Sequence, residues 1–301
     1  MKQRLADYVA DFLAAHGVTD VFSVVGGGAM HLNDALGHHP ALHVTYNHHE
    51  QASAIAAEAY ARIDNKIAAL CVTTGPGGTN ALTGVVGGWL DSIPMFVISG
   101  QVRYDTTARY AAQFTDGLPL RAVGDQEYDI TKSVAPMTKY ATMLEDPNQI
   151  RYVLEKAWHL ATTGRPGPVL IDFLKNVTFL NAMIDYEFIP WKENRSCGSI
   201  RELNLRHGLK PPEPDLGDID KLVEMIAQSQ RPLLMCGGGV VRGRADRQFR
   251  EFAEKLDCPV AITVMGGGGF PGAHPLTTGM VGMHGTQASN TACDQCDLLI
   301  A

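Results

Sequence analysis

Ile67-Ala68-Ala69-Leu70-Cys71-Val72-Thr73-Thr74-Gly75-Pro76-Gly77-Gly78-Thr79-Asn80 begins as an unbroken apolar run and ends in a glycine-rich turn. An apolar run of that length, bounded by turn residues, reads as a strand buried on both faces. Residues 81–90 behind the turn read as a helix despite Gly84, Gly87 and Gly88, and glycines inside a helix imply close packing against a neighbour. In such a strand–loop–helix unit the glycines let backbone approach a ligand, and the helix start offers free N–H groups. No Gly-Lys-Ser/Thr follows, so the loop is not a P-loop. A plain strand-to-helix turn would give the same local pattern.

The same punctuation recurs on both sides. Leu5, Val9, Phe12 and Leu13 fall at helical spacing, closed by His16-Gly17, and Val21-Phe22-Ser23-Val24-Val25 then reads as a strand ending in Gly26-Gly27-Gly28. A half-buried strand over residues 42–46 runs into an alanine-rich helix, and Met95-Phe96-Val97-Ile98 ends in Ser99-Gly100. Residues 101–134 are polar and loop-rich, a length usually given to function or motion. An amphipathic helix from Ile150 and the strand Val169-Leu170-Ile171-Asp172-Phe173 complete the region. Strands alternating with helices give an α/β fold with an open parallel sheet. Periodicity fails over 181–215, where Pro211-Pro212-Glu213-Pro214 reads as a linker, and a second α/β unit follows. The expected organisation is therefore two open parallel-sheet domains, residues 1–180 and 216–301. The second is Rossmann-like and is read as incomplete because the chain stops in the apolar run Leu298-Leu299-Ile300.

A net charge of −7 over 301 residues argues against general nucleic-acid or anionic-membrane partners. The N-terminus lacks the apolar centre of a signal peptide, and no apolar run reaches spanning length. Six scattered cysteines do not form a secreted disulfide framework, and Cys293-Asp294-Gln295-Cys296 has no second ligand pair for zinc. No metal ligand is assigned, and the chain reads as cytoplasmic.

Asn47-His48-His49-Glu50-Gln51 marks the junction between the 42–46 strand and its helix. An acid on a first helical turn has a plain explanation, because it complements the helix dipole. Here it keeps particular company, in order: Gly26-Gly27-Gly28, His49-Glu50-Gln51, Thr74-Gly75-Pro76-Gly77 through Asn80, Asp91-Ser92-Ile93-Pro94, Ile98-Ser99-Gly100-Gln101 and Gly164-Arg165-Pro166-Gly167-Pro168-Val169. With Met280-Val281-Gly282-Met283-His284-Gly285-Thr286 and Cys296-Asp297-Leu298-Leu299-Ile300, the whole chain resembles the N-terminal half of a thiamine-diphosphate enzyme of the acetolactate synthase (acetohydroxyacid synthase) group.

That resemblance implies a pyrimidine-binding domain followed by a central domain. It makes Glu50 the carboxyl that bonds the pyrimidine ring nitrogen, so that acid–base chemistry acts through the cofactor. It places Gly27 and Gly28 near the reacting carbons, Pro76 and Asn80 beside the pyrimidine, and Gln126 near substrate. Three positions depart from the synthase pattern: Val25 replaces Pro, His49 replaces a frequent Arg, and Asp125 replaces Phe. They fit a paralogue acting on another 2-oxo acid or aldehyde. Gly237-Gly238-Gly239 and Met283-His284-Gly285-Thr286 match parts of a site that holds FAD in some members and serves packing in others. The family's Gly-Asp-Gly motif for Mg2+ and the diphosphate is absent from the sequence. The expectation is thus a carboligase or lyase on 2-oxo acids, inactive alone, as a fragment or half of a split enzyme. A homodimer or homotetramer is implied, with a second chain to carry the diphosphate domain in the split case. Simple decarboxylation and a non-catalytic binding module are the alternatives.

Overall fold

The computed structural model describes residues 2–116, 120–178, 183–185 and 215–301. It divides into two compact units at Pro211/Pro212. In the first, strands β1 (Lys2–Arg4), β2 (Asp20–Ser23), β3 (His43–Tyr46), β4 (Ala68–Val72), β5 (Met95–Gln101), β6 (Tyr140–Leu144), β7 (Val169–Leu174) and β8 (Met183–Asp185) are separated mainly by helices. Strands β2 to β7 form one sheet in the order β3-β2-β4-β5-β7-β6, with every neighbouring pair parallel. β1 and β8 pair with each other, antiparallel, and β8 lies inside the segment read as linker.

The apolar runs at 68–72, 95–101 and 169–174 are buried along their whole length, as central parallel strands must be. Side chains alternate across a strand, so β4 feeds two cores. Ala69 and Cys71 join Leu13, Leu32, Phe96 and Leu160 on one face. Ala68, Leu70 and Val72 join Ala54, Ala57, Val85 and Ile130 on the other. Helices α1 (Leu5–Ala15) and α2 (Met30–His38) supply the first face, and α3 (Glu50–Asp64) supplies the second. Gly17, at φ 84°, takes the left-handed turn that ends α1. After the short helix α4 (Pro76–Asn80) comes α5 (Leu82–Leu90), whose Gly84 meets α3. A Cβ on Gly84 would lie 2.6 Å from Ala54, which explains a glycine in mid-helix.

Two features escaped the sequence pattern. β6 is an edge strand, mostly half-buried, whose only neighbour in the sheet among the described residues is β7. The region read as loop-rich contains short helices, among them α6 (Ala108–Ala111) and α7 (Ile130–Val134).

The second unit has β9 (Pro232–Cys236), β10 (Val260–Ile262), β11 (Thr277–Met280) and β12 (Leu298–Ile300), all parallel, in the order β11-β10-β9-β12. Its core holds Leu234, Cys236, Ala253, Cys258, Val260 and Phe270. The Gly237–Gly239 stretch opens a short helix, Gly238–Arg242. The Cys296 thiol donates to the Cys293 carbonyl at 3.3 Å, at the end of helix Gln287–Gln295. Among the described residues no helix is long and apolar enough to cross a membrane.

Candidate active site

The order β3-β2-β4 reverses the direction of winding at β2, which opens a crevice beyond the C-terminal ends of β2 and β4. Three segments meet there, and Thr73, just past β4, joins two of them. The Gly28 N–H donates to Thr73 Oγ1 at 3.1 Å, and a Cβ on Gly26 would lie 2.6 Å from that same oxygen. On the other side a Cβ on Gly100 would lie 2.5 Å from the Ala29 nitrogen. The triple-glycine turn is thus wedged between the ends of β4 and β5. Its members differ: Gly28 is buried with its N–H committed, while Gly27 is exposed, with nothing within 4 Å of where a side chain would start.

The loop after β4, which the resemblance sets beside a pyrimidine (hereafter the pyrimidine loop), owes its course to Gly75. At φ 56° and ψ −119° it takes a backbone conformation closed to other residues, and a Cβ there would overlap the Gln126 carbonyl oxygen. Pro76 follows at the first position of α4, where its missing N–H is harmless. Gly75→Ala is expected to destabilise the first unit by about 2–3 kcal/mol, combining left-handed strain with overpacking. Denaturant unfolding of the two chains measures it; equal midpoints would refute the close approach.

Glu50 opens α3, with His49 as the N-cap whose Nδ1 accepts from the Gln51 N–H at 3.2 Å. The helix start is tied to β2 because Ser53, fully buried, donates to the Ser23 carbonyl at 3.2 Å and accepts from Asn47 Nδ2 at 3.0 Å. The half-buried Glu50 carboxylate then reaches α4, where its Oε2 accepts from Asn80 Nδ2 at 3.1 Å. Its Oε1 lies 3.4 Å from where a Cβ on Gly77 would stand. Glu50, Asn80 and the Gly75–Gly77 turn are therefore one contiguous group, and Pro76 and Asn80 are exposed.

Gln126 joins it through its backbone. It is exposed and stands at φ 58°, unusual for a glutamine, with its carbonyl 3.3 Å from Thr74 Oγ1, whose one proton it shares with the nearer Gln101 Oε1. Glu127 braces the same segment by accepting from the Ala108 and Val123 N–H groups, both at 2.7 Å. Val25, His49 and Asp125, the three departures from the synthase pattern, are all exposed.

Beneath Thr74 lies a polar group to which the sequence reading gave no role. Gln101 Oε1 accepts from Thr74 Oγ1 at 2.8 Å, and its Nε2 donates to Asp172 Oδ2 at 2.9 Å. Asp172 is fully buried, and burial pushes its carboxyl up to about 7, with the Gln101 and Ser99 hydrogen bonds opposing. For Asp172 the signal was present, since an acid inside an otherwise apolar central strand requires a partner; Gln101 was read as the start of the loop-rich segment.

Residues 3–120 match the family described as thiamine pyrophosphate enzyme, N-terminal TPP binding domain, and residues 219–301 match the thiamine pyrophosphate enzyme central domain. The chain carries two domains of the thiamine pyrophosphate enzymes. It is 36% identical over 299 residues to a probable acetolactate synthase large subunit of Methanocaldococcus jannaschii, covering 98% of this chain and 46% of that protein. It is 34% identical over 296 residues to the acetolactate synthase large subunit of Buchnera aphidicola subsp. Schizaphis graminum, covering 98% and 48%. With that of Parasynechococcus marenigrum it shares 37% over 301 residues, covering 97% and 44%. The chain thus spans about half the length of the curated relatives it matches. Glu50, Pro76 and the glycine turn all fall within the match to the N-terminal thiamine pyrophosphate domain.

In the unit that matches the central domain, several glycines serve packing. A Cβ on Gly266 would overlap the Cys236 carbonyl, and one on Gly285 the Met280 carbonyl. Gly237 and Gly239 face open space. Among the described residues no group of three or more His, Cys, Asp or Glu is placed to hold a metal ion.

Proposed function

We propose that this chain supplies the pyrimidine-binding side of a thiamine-diphosphate carboligase or lyase acting on 2-oxo acids, akin to acetolactate synthase. The observation that carries the reading is the half-buried Glu50 carboxylate, held by Asn80 at the rim of the crevice between the glycine turns. A carboxyl beside Gly77 and Asn80, next to exposed Pro76, fits a planar base that needs one shared proton and a flat wall. When bound, thiamine diphosphate supplies an electron sink for cleaving the bond beside a 2-oxo carbonyl.

In this reading Glu50 holds a proton at the pyrimidine ring nitrogen, and Asn80 fixes the carboxylate's orientation. Gly27 leaves room and open backbone for the reacting atoms, and Pro76 walls the ring. The exposed Gln126 amide faces the substrate. Val25 and Asp125 at the mouth suit a 2-oxo acid or acceptor other than the synthases' own. Mg2+ and the diphosphate are held by groups outside the described residues, and no step is assigned to FAD. The working assembly is a cytoplasmic homodimer or homotetramer, with the diphosphate domain in the same polypeptide or in a second chain.

Calorimetric titration of thiamine diphosphate with Mg2+ tests this, into the chain alone and then joined to a domain carrying Gly-Asp-Gly. Tight binding only in the joined form is expected. Absence of binding in both would sink the proposal, and tight binding by the chain alone would refute the division of the site.

A further inference from the structure

Gln101 ends β5, is 1% exposed, and has both ends of its amide in use. The oxygen accepts from Thr74 Oγ1 at 2.8 Å and from the Val102 N–H at 2.9 Å. The nitrogen donates to the Tyr128 carbonyl at 2.8 Å and to Asp172 Oδ2 at 2.9 Å. An amide offers two donors and two acceptor lone pairs, so its capacity is filled. Apart from Val102, the next residue, these partners belong to three segments: the turn after β4, the stretch leading to α7, and β7.

Gln126 is two residues before Tyr128, and its backbone abuts Gly75. Its left-handed conformation, φ 58°, persists only if the neighbours over-determine it. They do so from both sides: Glu127 ties the segment to α6, while Gln101 and Thr74 tie it to the pyrimidine loop.

We infer that Gln101 is the positioning residue of the site, clamping residues 124–128 to the pyrimidine loop so that Gln126 stands where substrate arrives. The substrate half of this inference rests on the functional reading above; the clamp itself does not. Gln101 touches neither Glu50 nor the glycine turn in any hydrogen bond, so its loss should act on the 124–128 segment first. Asp172 serves as the buried anchor, and Ser99, Asp129 and Arg109 are the other groups that bear on it.

Hydrogen exchange followed by mass spectrometry tests the clamp in two variants of the chain. Gln101→Leu removes all four bonds. The double variant Gln101→Glu with Asp172→Asn exchanges amide and carboxylate, keeps the links to Thr74, Val102 and position 172, and loses the donor to Tyr128. In both, amides of residues 123–130 are expected to exchange at least about tenfold faster, with β4 and β5 amides unchanged. In the joined, cofactor-loaded enzyme the double variant should raise KM for a 2-oxo acid such as pyruvate about tenfold, with thiamine-diphosphate affinity altered less than about threefold. Unchanged exchange over 123–130, or equal acceleration across the sheet, would overturn the clamp. Faster loop exchange with unaltered KM would overturn the placing of substrate beside Gln126. Failure of the unmodified joined protein to bind thiamine diphosphate would instead strike the functional reading, leaving the exchange result to decide the clamp.

Discussion

Glu50→Gln is expected to lower turnover of the assembled enzyme by about 10²–10⁴-fold, the usual worth of a positioned acid–base group. The substitution keeps the side chain's length and a carbonyl oxygen for Asn80 Nδ2, which now sits 3.1 Å from Oε2. It leaves the N-cap bond from Gln51 to His49 in place. What it removes is a group able to hold and release a proton. A half-buried acid at a helix start contributes at most about 2 kcal/mol, so the loss of stability should stay within that range. The informative measurement is exchange of the thiazolium C2 proton on the bound cofactor, which separates cofactor activation from later steps. Exchange at the unmodified rate would show that Glu50 is only a helix-start acid.

The second large effect is on stability and concerns Asp172. Its carboxyl stands at about 7 in the folded chain against an ordinary value of 3.8, because it is fully buried. A raised folded value means that the native state holds a proton the unfolded chain releases. The contribution is therefore fully present below about pH 4, declines as pH rises towards 7, and stays lost above. Three pH units correspond to at most about 4 kcal/mol. Asp172→Asn keeps an acceptor for Gln101 Nε2 and cannot ionise. Relative to the unmodified chain it should be similar in stability at pH 4 and more stable by about 2–4 kcal/mol at pH 8. Asp20, Asp34 and Asp129, all held below the usual range, push the other way near pH 4 in both proteins, so the difference isolates Asp172. A pH-independent difference in chemical unfolding would show that Asp172 is not the proton-holding group.

Much of this architecture was legible because its signals are local. The largely apolar runs that became β4, β5 and β7 needed no tertiary information, nor did the glycine exits of β2 and β4. Glu50 was legible as a junction residue, and its neighbours as a set. β6 was not, since Tyr140–Leu144 is mostly half-buried and is made a strand by its pairing with β7. Asp172 was quoted within a strand and Gln101 at the head of the loop-rich segment, both without a part, because their meaning lies in register: β5 runs on through Gln101, and β5 and β7 pair Ser99 with Asp172, which brings Gln101 within reach. Gly28 shows the same limit. Sequence placed it beside Gly27, and only packing against Thr73 separates the buried glycine from the exposed one.

The sheet order also sets a timetable for a chain emerging from the ribosome. β7 lies between β5 and β6, and β6 has no other neighbour among the described residues, so neither β6 nor the Asp172 anchor is in place until residues 169–174 have been made. A nascent chain ending before then already contains β2 to β5, both glycine turns and Gln101, but not the Asp172 carboxyl that holds the Gln101 amide. The crevice between the glycine turns can thus be assembled early, while the anchor under Gln101 waits for a pairing of long sequence separation, the slower kind of contact to close.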